Sequence, residues 1–261
     1  MSSPVDSHAT YVILGASGNT GSIVADSLLS KGKNVRVVGR DAGRLQRFVS
    51  GGAEAFTADV SDAAALTKAF RGARAAYLLL PPISSREDQE RESDAIAKAV
   101  KESGLLYAVY LSSYGAHVPE GTGPVTGLHS SEQKLNAISD LNVLHLRAAY
   151  FMENNVAAVG MIQGMGMFGH ALLPGLKMPM IATRDVGAYA GQRLLELDLR
   201  SGRRGAQTSI CSRSAAFPDF TLDRLRRSSI RGRRGKAGRV ARSRKKANKT
   251  GISTAIVPSA S

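Results

Sequence analysis

The sequence predicts an α/β fold, a doubly wound parallel sheet followed by a small, incomplete C-terminal substrate region. Three observations favour this fold class. Short apolar runs alternate with longer segments of helical periodicity over residues 10–146. A glycine-spaced turn follows the first apolar run, where a strand is expected to lead into a helix. The fourth run ends in two successive prolines, which cannot continue a hydrogen-bonded strand.

The first half of the predicted sheet consists of short apolar runs, each followed by a helical segment. Residues 11–14 predict the first strand. The helix after it, 22–30, carries Val24 and Leu28 on one face and ends before Gly32. The same alternation predicts strands at 34–40, 53–58 and 75–80 and helices at 41–50 and 63–70.

The second half continues the alternation beyond the two prolines. Residues 86–103 predict a long helix, with apolar residues three and four apart and Gly104 after its end. The remaining predictions are strands at 105–111 and 143–146 and helices at 129–139, 155–163 and 184–197. Because strands separated by helices pair in parallel, all strand carboxyl ends lie at one edge, where ligands bind in such sheets.

The first strand leads directly into the run Gly15-Ala16-Ser17-Gly18-Asn19-Thr20-Gly21. The first glycine allows a tight turn, the second lets backbone approach a phosphate, and the third lets the helix pack closely. Open N–H groups and the helix dipole favour an anion there. The run predicts a pyrophosphate site in a Rossmann-type dinucleotide-binding domain over residues 9–150, formed by Gly15, Ser17, Gly18, Asn19, Thr20 and Gly21. A glycine-rich turn without a ligand is the alternative.

The residue after the second strand distinguishes the two nicotinamide dinucleotides. An acid there accepts hydrogen bonds from a ribose 2′-hydroxyl, whereas a cation favours a 2′-phosphate. The chain has Arg40 at this place and Arg44 one helical turn on. These residues predict NADP(H) rather than NAD(H). The alternative is that both are solvated surface charges near Asp41.

Asp59 and Val60 follow the third predicted strand. Asp59 is placed to accept a hydrogen bond from an adenine amino group, while Val60 packs on the ring. The alternative role of Asp59 is to cap the helix at 63–70, which Ser61 can also do. The two roles are compatible.

The positive charge of the chain is concentrated at one end. The formal net charge is +14, but residues 200–261 contain 17 Lys and Arg against 2 Asp and Glu, a net +15, and residues 1–199 carry −1. With almost no apolar periodicity, residues 200–261 predict a basic disordered tail. Its Arg, Ser, Gly and Ala content is what a shifted reading frame in GC-rich DNA produces. A tail that binds nucleic acid is the alternative.

Other features of the composition limit the functional classes. No apolar run approaches the ~18 residues that a membrane span needs. Cys211 is the only cysteine, which excludes an intrachain disulfide. Residues 1–8 predict a disordered N-terminus without the basic and apolar regions of a signal peptide. We therefore expect a cytoplasmic protein with no membrane partner, and no metal site is predicted.

Several motifs, taken in order, resemble the NmrA-like NAD(P)-binding proteins, which are atypical relatives of the short-chain dehydrogenases. They are the glycine run, Arg40-Asp41, Asp59-Val60, Leu80-Pro81-Pro82, Ser112-Ser113, Arg147-(x)₃-Phe151-Met152-Glu153-Asn154 and Thr183-Arg184-Asp185-Val186. The resemblance covers residues 9–199 and implies that Leu80, Pro81, Ser112 and Ser113 lie near the nicotinamide. Members of this family are NADPH-dependent reductases of quinones, enones or related acceptors, or non-catalytic redox-sensing regulators.

One motif of the wider dehydrogenase superfamily is missing. Its usual proton donor is a tyrosine with a lysine four residues later. None of the seven tyrosines has that lysine: Tyr11, Tyr77, Tyr107, Tyr110, Tyr114, Tyr150 and Tyr189. Tyr114, His129 and Tyr150 are the candidate proton donors, and a structural or positioning role is the alternative for each.

Residues 151–199 predict a partial substrate-binding region. The stretch 164–179 is rich in glycine, proline and methionine and predicts an adaptable apolar loop against an acceptor. Together with this loop, the resemblance to the NmrA-like proteins implies an NADPH-dependent reductase of a quinone, enone or similar small acceptor. The alternatives are a non-catalytic NADP(H) sensor that binds a protein partner, and a nucleic-acid-binding protein that acts through the tail.

Overall fold

A computed structural model describes residues 9–81, 85–165, 178–197 and 207–211, the last five by their backbone alone. Seven parallel strands of the described residues form one sheet: β1 (Thr10–Leu14), β2 (Asn34–Gly39), β3 (Glu54–Thr57), β4 (Ala73–Leu79), β5 (Tyr107–Ser113), β6 (Asn142–Ala148) and β9 (Gln207–Cys211). Strands β7 (Tyr150–Phe151) and β8 (Met180–Ile181) form a separate parallel pair.

Helices cover both faces of the sheet. They are α1 (Asn19–Leu29), α2 (Ala42–Val49), α3 (Ala63–Phe70), α4 (Arg86–Ser103), α5 (Val125–Asn136), α6 (Ala157–Met165) and α7 (Thr183–Glu196), with a short 3-10 helix at Met152–Asn155. Side chains of α1, α2 and α7 share one apolar core with the sheet, and those of α3, α4 and α5 share the other. In β1, Tyr11 and Ile13 face the first core and Val12 and Leu14 the second, as strand alternation requires.

The strand order of the large sheet is β3-β2-β1-β4-β5-β6-β9. The chain runs outward from β1 to β3, then crosses back to place β4 beside β1. The order therefore reverses between β1 and β4, and the carboxyl ends of these strands flank a crevice. This topology confirms the predicted doubly wound parallel sheet, and it puts the glycine run at that crevice.

The structure differs from the sequence predictions at several element ends. Helix α1 begins at Asn19, three residues before the predicted start, and α5 begins at Val125 rather than 129. Residues 207–211 form a strand beside β6, so the prediction of a disordered tail is wrong for these five residues. The rest of that tail, residues 1–8 and the predicted loop between 166 and 177 lie outside the described residues. Within the described ranges, no helix combines the length and the hydropathy needed to cross a membrane.

Candidate dinucleotide-binding site

The turn between β1 and α1 is fixed to strands on both sides. Gly15 has a φ of 66°, a left-handed conformation that favours glycine. Its N–H donates to the Val38 carbonyl of β2 at 3.0 Å, and its carbonyl accepts from the Gly18 N–H at 2.9 Å. A Cβ atom on Gly15 would lie 3.1 Å from the Leu79 side chain of β4. The turn is therefore held in one shape at the crevice between β1 and β4.

The start of α1 carries backbone donors without acceptors in the described part of the chain. Gly18 is the N-cap, so no side chain caps the helix, and its first turn contains no acidic residue. The N–H groups of Asn19, Thr20 and Gly21 precede the first intrahelical hydrogen bond, which the Gly18 carbonyl accepts. With the exposed Ser17 beside them, these donors and the helix dipole have the chemistry that suits an anion.

The space around the last two glycines of the run tests whether a dinucleotide fits. A Cβ atom on Gly21 would overlap the Gly15 carbonyl, so glycine is required there for the turn itself. A Cβ atom on Gly18 would meet only that carbonyl oxygen, at 3.2 Å, and would otherwise project into open space. The structure thus keeps a cradle at Gly18 that any side chain would fill. These residues fit a pyrophosphate.

The side chain of Thr20 is buried, so only its backbone N–H is available at the start of α1. The residue is 4 % exposed, and its hydroxyl oxygen accepts a 2.9 Å hydrogen bond from the hydroxyl of Tyr77 in β4. Tyr77 is fully buried, and burial raises its pKa well above the ordinary value for tyrosine. The sequence did not indicate this contact, because the two residues are 57 positions apart.

Arg40 and Arg44 lie where the sequence predicted cations. Arg40 follows β2 directly, Arg44 is in the first turn of α2, and both are exposed. Within the described residues neither guanidinium group has an ion-pair partner. Asp41 is the N-cap of α2, and its carboxylate accepts from the N–H groups of Gly43 at 2.9 Å and Arg44 at 3.3 Å. The two cations are therefore available to a ligand.

Asp59 is exposed at the carboxyl end of β3. One carboxylate oxygen accepts from the N–H of Ser61 at 2.9 Å and from its hydroxyl at 2.6 Å. These bonds, and then the charges of Arg40 and Arg91, hold the pKa of Asp59 below its usual value. Helix α3 is capped by Asp62, which accepts from the third helical N–H at 2.9 Å, so the alternative of Asp59 or Ser61 as the cap is wrong.

The apolar residues predicted beside the dinucleotide belong mainly to the core. Leu80 is buried and Val60 is half-buried, and both pack in the core shared with α3, α4 and α5. Pro81 is half-buried, and Pro82 lies outside the described residues. Leu79 is the side chain that contacts the glycine turn. The sequence analysis missed it because a run of three leucines does not indicate which of them faces the turn.

The hydroxyl of Ser112 is hydrogen-bonded within the protein. It is 3 % exposed, and its hydroxyl donates to Oε1 of Glu132 in α5 at 2.6 Å. Arg147 of β6 donates to both carboxylate oxygens, from Nε at 2.9 Å and from Nη2. Burial alone would raise the pKa of Glu132, but the hydrogen bonds from Arg147 and Ser112 outweigh it and keep that pKa below normal. Ser112 and Glu132 are buried and Arg147 is half-buried, and together they link β5, α5 and β6 near the carboxyl ends of the strands.

The remaining predicted site residues, Ser113 and the three candidate proton donors, lie near the carboxyl ends of β5 and β6. Ser113 is half-buried, and its hydroxyl donates to the Tyr114 carbonyl at 3.3 Å. Tyr114 is 50 % exposed, and its N–H donates to the Ala148 carbonyl of β6 at 2.8 Å. His129 is half-buried, with Nδ1 2.7 Å from the Ala116 carbonyl oxygen. The third candidate donor, Tyr150, is half-buried in β7.

Helix α7 supports the dinucleotide turn from behind. A Cβ atom on Gly187 would lie 2.7 Å from Cβ of Ile23 and 2.9 Å from the Thr20 carbonyl oxygen. Gly191, one turn later, approaches Ser27 in the same way at 3.2 Å. Glu153 stabilises the start of α7, because its carboxylate accepts hydrogen bonds from the N–H and the hydroxyl of Thr183. The two small residues spaced by four were the only sequence signal of this close packing.

Comparison with known proteins agrees with this geometry. Residues 15–170, more than half of the chain, match the model of a protein family described as NAD(P)H-binding. A curated relative, the (4-alkanoyl-5-oxo-2,5-dihydrofuran-3-yl)methyl phosphate reductase of Streptomyces griseus, is 27% identical over 180 residues, 69% of this chain. The chain spans 61% of that relative's length.

Two solved structures illustrate the shared fold. An NADPH-dependent quinone oxidoreductase of Escherichia coli, complexed with NADPH, is 22% identical with a TM-score of 0.62, and the match covers 78% of this chain and 69% of that one. The triphenylmethane reductase of Citrobacter sp., complexed with NADP(H), is 16% identical with a TM-score of 0.63 over 78% of this chain and 70% of that one.

Proposed function

The chain belongs to the NAD(P)H-binding family, and on that premise we propose that it is an NADPH-dependent reductase of the NmrA-like kind. Its substrate would be a quinone, an enone or a similar small acceptor. The observation that carries this proposal is the open start of α1 at the crevice, with the unpaired guanidinium of Arg40 beyond the neighbouring strand. The donors at the start of α1 suit the pyrophosphate of NADPH, and the cation after the adjacent strand β2 suits its 2′-phosphate.

Each part of the dinucleotide has residues of suitable chemistry. The N–H groups of Asn19, Thr20 and Gly21 would hold the pyrophosphate, and Arg40 the 2′-phosphate, with Arg44 beside it. Asp59 keeps a charged carboxylate oxygen available for the adenine amino group. When bound, the dinucleotide supplies a hydride, and the residues of the chain bind and orient it at the carboxyl edge.

An exposed apolar stripe on α6 supports an apolar acceptor. Val156, just before the helix, and Val159, Ile162 and Met165 within it are spaced by three residues and are 45–66% exposed. The helix contains no charged residue, and it follows the carboxyl end of β6 through β7 and the 3-10 helix. A neutral, apolar surface near the ligand edge suits a planar, weakly polar acceptor better than a charged one. The structural relatives named for quinones and triphenylmethane dyes support the same class.

A non-catalytic NADP(H) sensor is the second candidate. It is favoured by the absence of a lysine four residues after any tyrosine. A sensor would bind NADPH at the same glycine turn but would not consume it. Turnover therefore distinguishes the two functions, whereas binding does not.

NADPH oxidation in the presence of a panel of quinones and enones tests the proposal. The full chain should oxidise NADPH only with an acceptor present, and Gly18→Val should abolish this because its side chain fills the cradle. Gly51→Val is the matched control. A Cβ atom on Gly51 also lies close to a backbone carbonyl oxygen, that of Phe48 at 3.3 Å, but Gly51 lies between α2 and β3 and not in the glycine turn. NADPH binding without oxidation by any acceptor would favour the sensor.

A further inference from the structure

A short turn after β5 connects three elements at the ligand edge. In this turn, the N–H of Ala116 donates to the Ser113 carbonyl at 3.0 Å. The N–H of Tyr114 donates to the Ala148 carbonyl at the end of β6 at 2.8 Å. The Ala116 carbonyl lies 2.7 Å from Nδ1 of His129, which comes from α5. The imidazole is therefore fixed at the carboxyl ends of β5 and β6.

The partner of His129 determines which ring nitrogen carries a hydrogen. A carbonyl oxygen only accepts, so Nδ1 must be the protonated nitrogen at this contact. In the neutral ring Nε2 then carries the lone pair, and in the cation it carries a second N–H. His129 is half-buried, and its Nε2 has no hydrogen-bond partner within the described residues. One nitrogen is anchored and the other is free to exchange a proton.

Other polar groups at this edge are already committed. The Ser112 hydroxyl is bound to Glu132, and that carboxylate is neutralised by Arg147. The Ser113 hydroxyl donates to the Tyr114 carbonyl. Tyr114 is exposed, and in the described part of the chain no hydrogen bond to its hydroxyl fixes the position of the ring. His129 is thus the titratable side chain that the turn orients.

We infer that His129 is the catalytic proton donor of the reduction, in place of the tyrosine that this chain lacks; this inference rests on the proposed function. Reduction of a quinone or an enone consumes one hydride, from NADPH, and one proton. The Nε2–H bond of the imidazolium breaks, an O–H bond forms on the acceptor oxygen, and solvent returns the proton to Nε2. The Ala116 carbonyl holds Nδ1–H throughout, so the ring keeps its orientation.

The test compares variants that separate the anchoring from the proton transfer. His129→Asn retains a donor close to the position of Nδ1 but has no Nε2. We expect its NADPH affinity and melting temperature to match the wild type, while acceptor reduction falls about 100-fold or more. His129→Gly should be similarly slow and should be restored in part by added imidazole. His117→Gln, at an exposed histidine next to the same turn, is the control and should retain full activity.

A readout independent of turnover is the nitrogen-15 spectrum of histidine-labelled protein, which should show the His129 proton on Nδ1 in the neutral ring. Full activity of His129→Asn, failure of imidazole to accelerate His129→Gly, or a neutral ring protonated on Nε2 would overturn the inference while leaving the proposed function intact. If the wild type binds NADPH but reduces no acceptor, the proposed function and this role of His129 both fall.

Discussion

Replacing Tyr77 with phenylalanine tests whether the buried contact to Thr20 shapes the dinucleotide site. The substitution removes the hydroxyl that donates a 2.9 Å hydrogen bond to the hydroxyl oxygen of Thr20, in the first turn of α1. The Thr20 oxygen then has no donor, although the residue is only 4 % exposed. A neutral hydrogen bond contributes about 0.5–1.5 kcal/mol, and a buried group left unpaired costs about 1–3 kcal/mol. We expect the free energy of unfolding to fall by about 1–2 kcal/mol.

The same change should weaken NADPH binding, because the N–H of Thr20 is one of the donors at the anion site. If holding this donor in place contributes about 1 kcal/mol to the bound state, the Kd for NADPH rises about fivefold. Isothermal titration of the full chain with NADPH measures the Kd, and thermal unfolding measures the stability in parallel.

Tyr110→Phe is the matched control for this experiment. Tyr110 lies on the adjacent strand β5 and is just as buried, but neither its hydroxyl nor the nearby Ser131 hydroxyl has a hydrogen-bond partner in the described part of the chain. Its removal should leave the Kd unchanged and stability equal or slightly higher. An unchanged Kd for Tyr77→Phe, or an equal change in both variants, would refute the reasoning.

Three further predictions concern stability and can be followed by thermal unfolding. Gly21→Ala should lower the melting temperature and abolish NADPH binding, because its Cβ atom would overlap the Gly15 carbonyl and displace the turn. Gly187→Ala should destabilise by about 1–3 kcal/mol through its contact with Ile23, and normal stability would show that α7 can move away. The pKa of Glu132 is lowered on folding, so its contribution is present above its ordinary value near 4.5 and is lost as the pH falls through the lowered value. Glu132→Gln should therefore flatten the acid limb of stability against pH, and an unchanged limb would contradict this.

The strand and helix pattern was predictable because it depends on local periodicity. Each of the first six strands overlaps its prediction, and helices such as Ala63–Phe70 and Arg86–Ser103 match it at both ends. The glycine turn was also predictable from the spacing of its glycines. Only glycine readily adopts the positive φ of Gly15, and only glycine fits the crowded position of Gly21.

The parts that were missed depend on contacts between distant residues. The sequence does not indicate that the Ser112 hydroxyl donates to Glu132, which lies twenty residues later on α5. Helix α1 starts at Asn19 rather than Ser22 because Gly18 serves as a cap without a side chain, a role that propensity does not reveal. The strand at 207–211 was missed because the prediction was made from the charge and composition of the whole basic tail. Its five uncharged residues, Gln-Thr-Ser-Ile-Cys, are too few to change that average.

Affinity for the two nicotinamide dinucleotides, measured by isothermal titration of the full chain, tests the central claim most directly. NADPH should bind more tightly than NADH, because Arg40 is exposed and unpaired where a 2′-phosphate would lie. Arg40→Ala should cost NADPH about 1.5–3 kcal/mol, a rise in Kd of about 10-fold to 150-fold, and should leave NADH almost unchanged. Arg47→Ala, in the last turn of the helix α2 that follows Arg40, should leave both affinities as in the wild type. Equal dissociation constants for NADPH and NADH in the wild type, or no binding of either, would contradict the account.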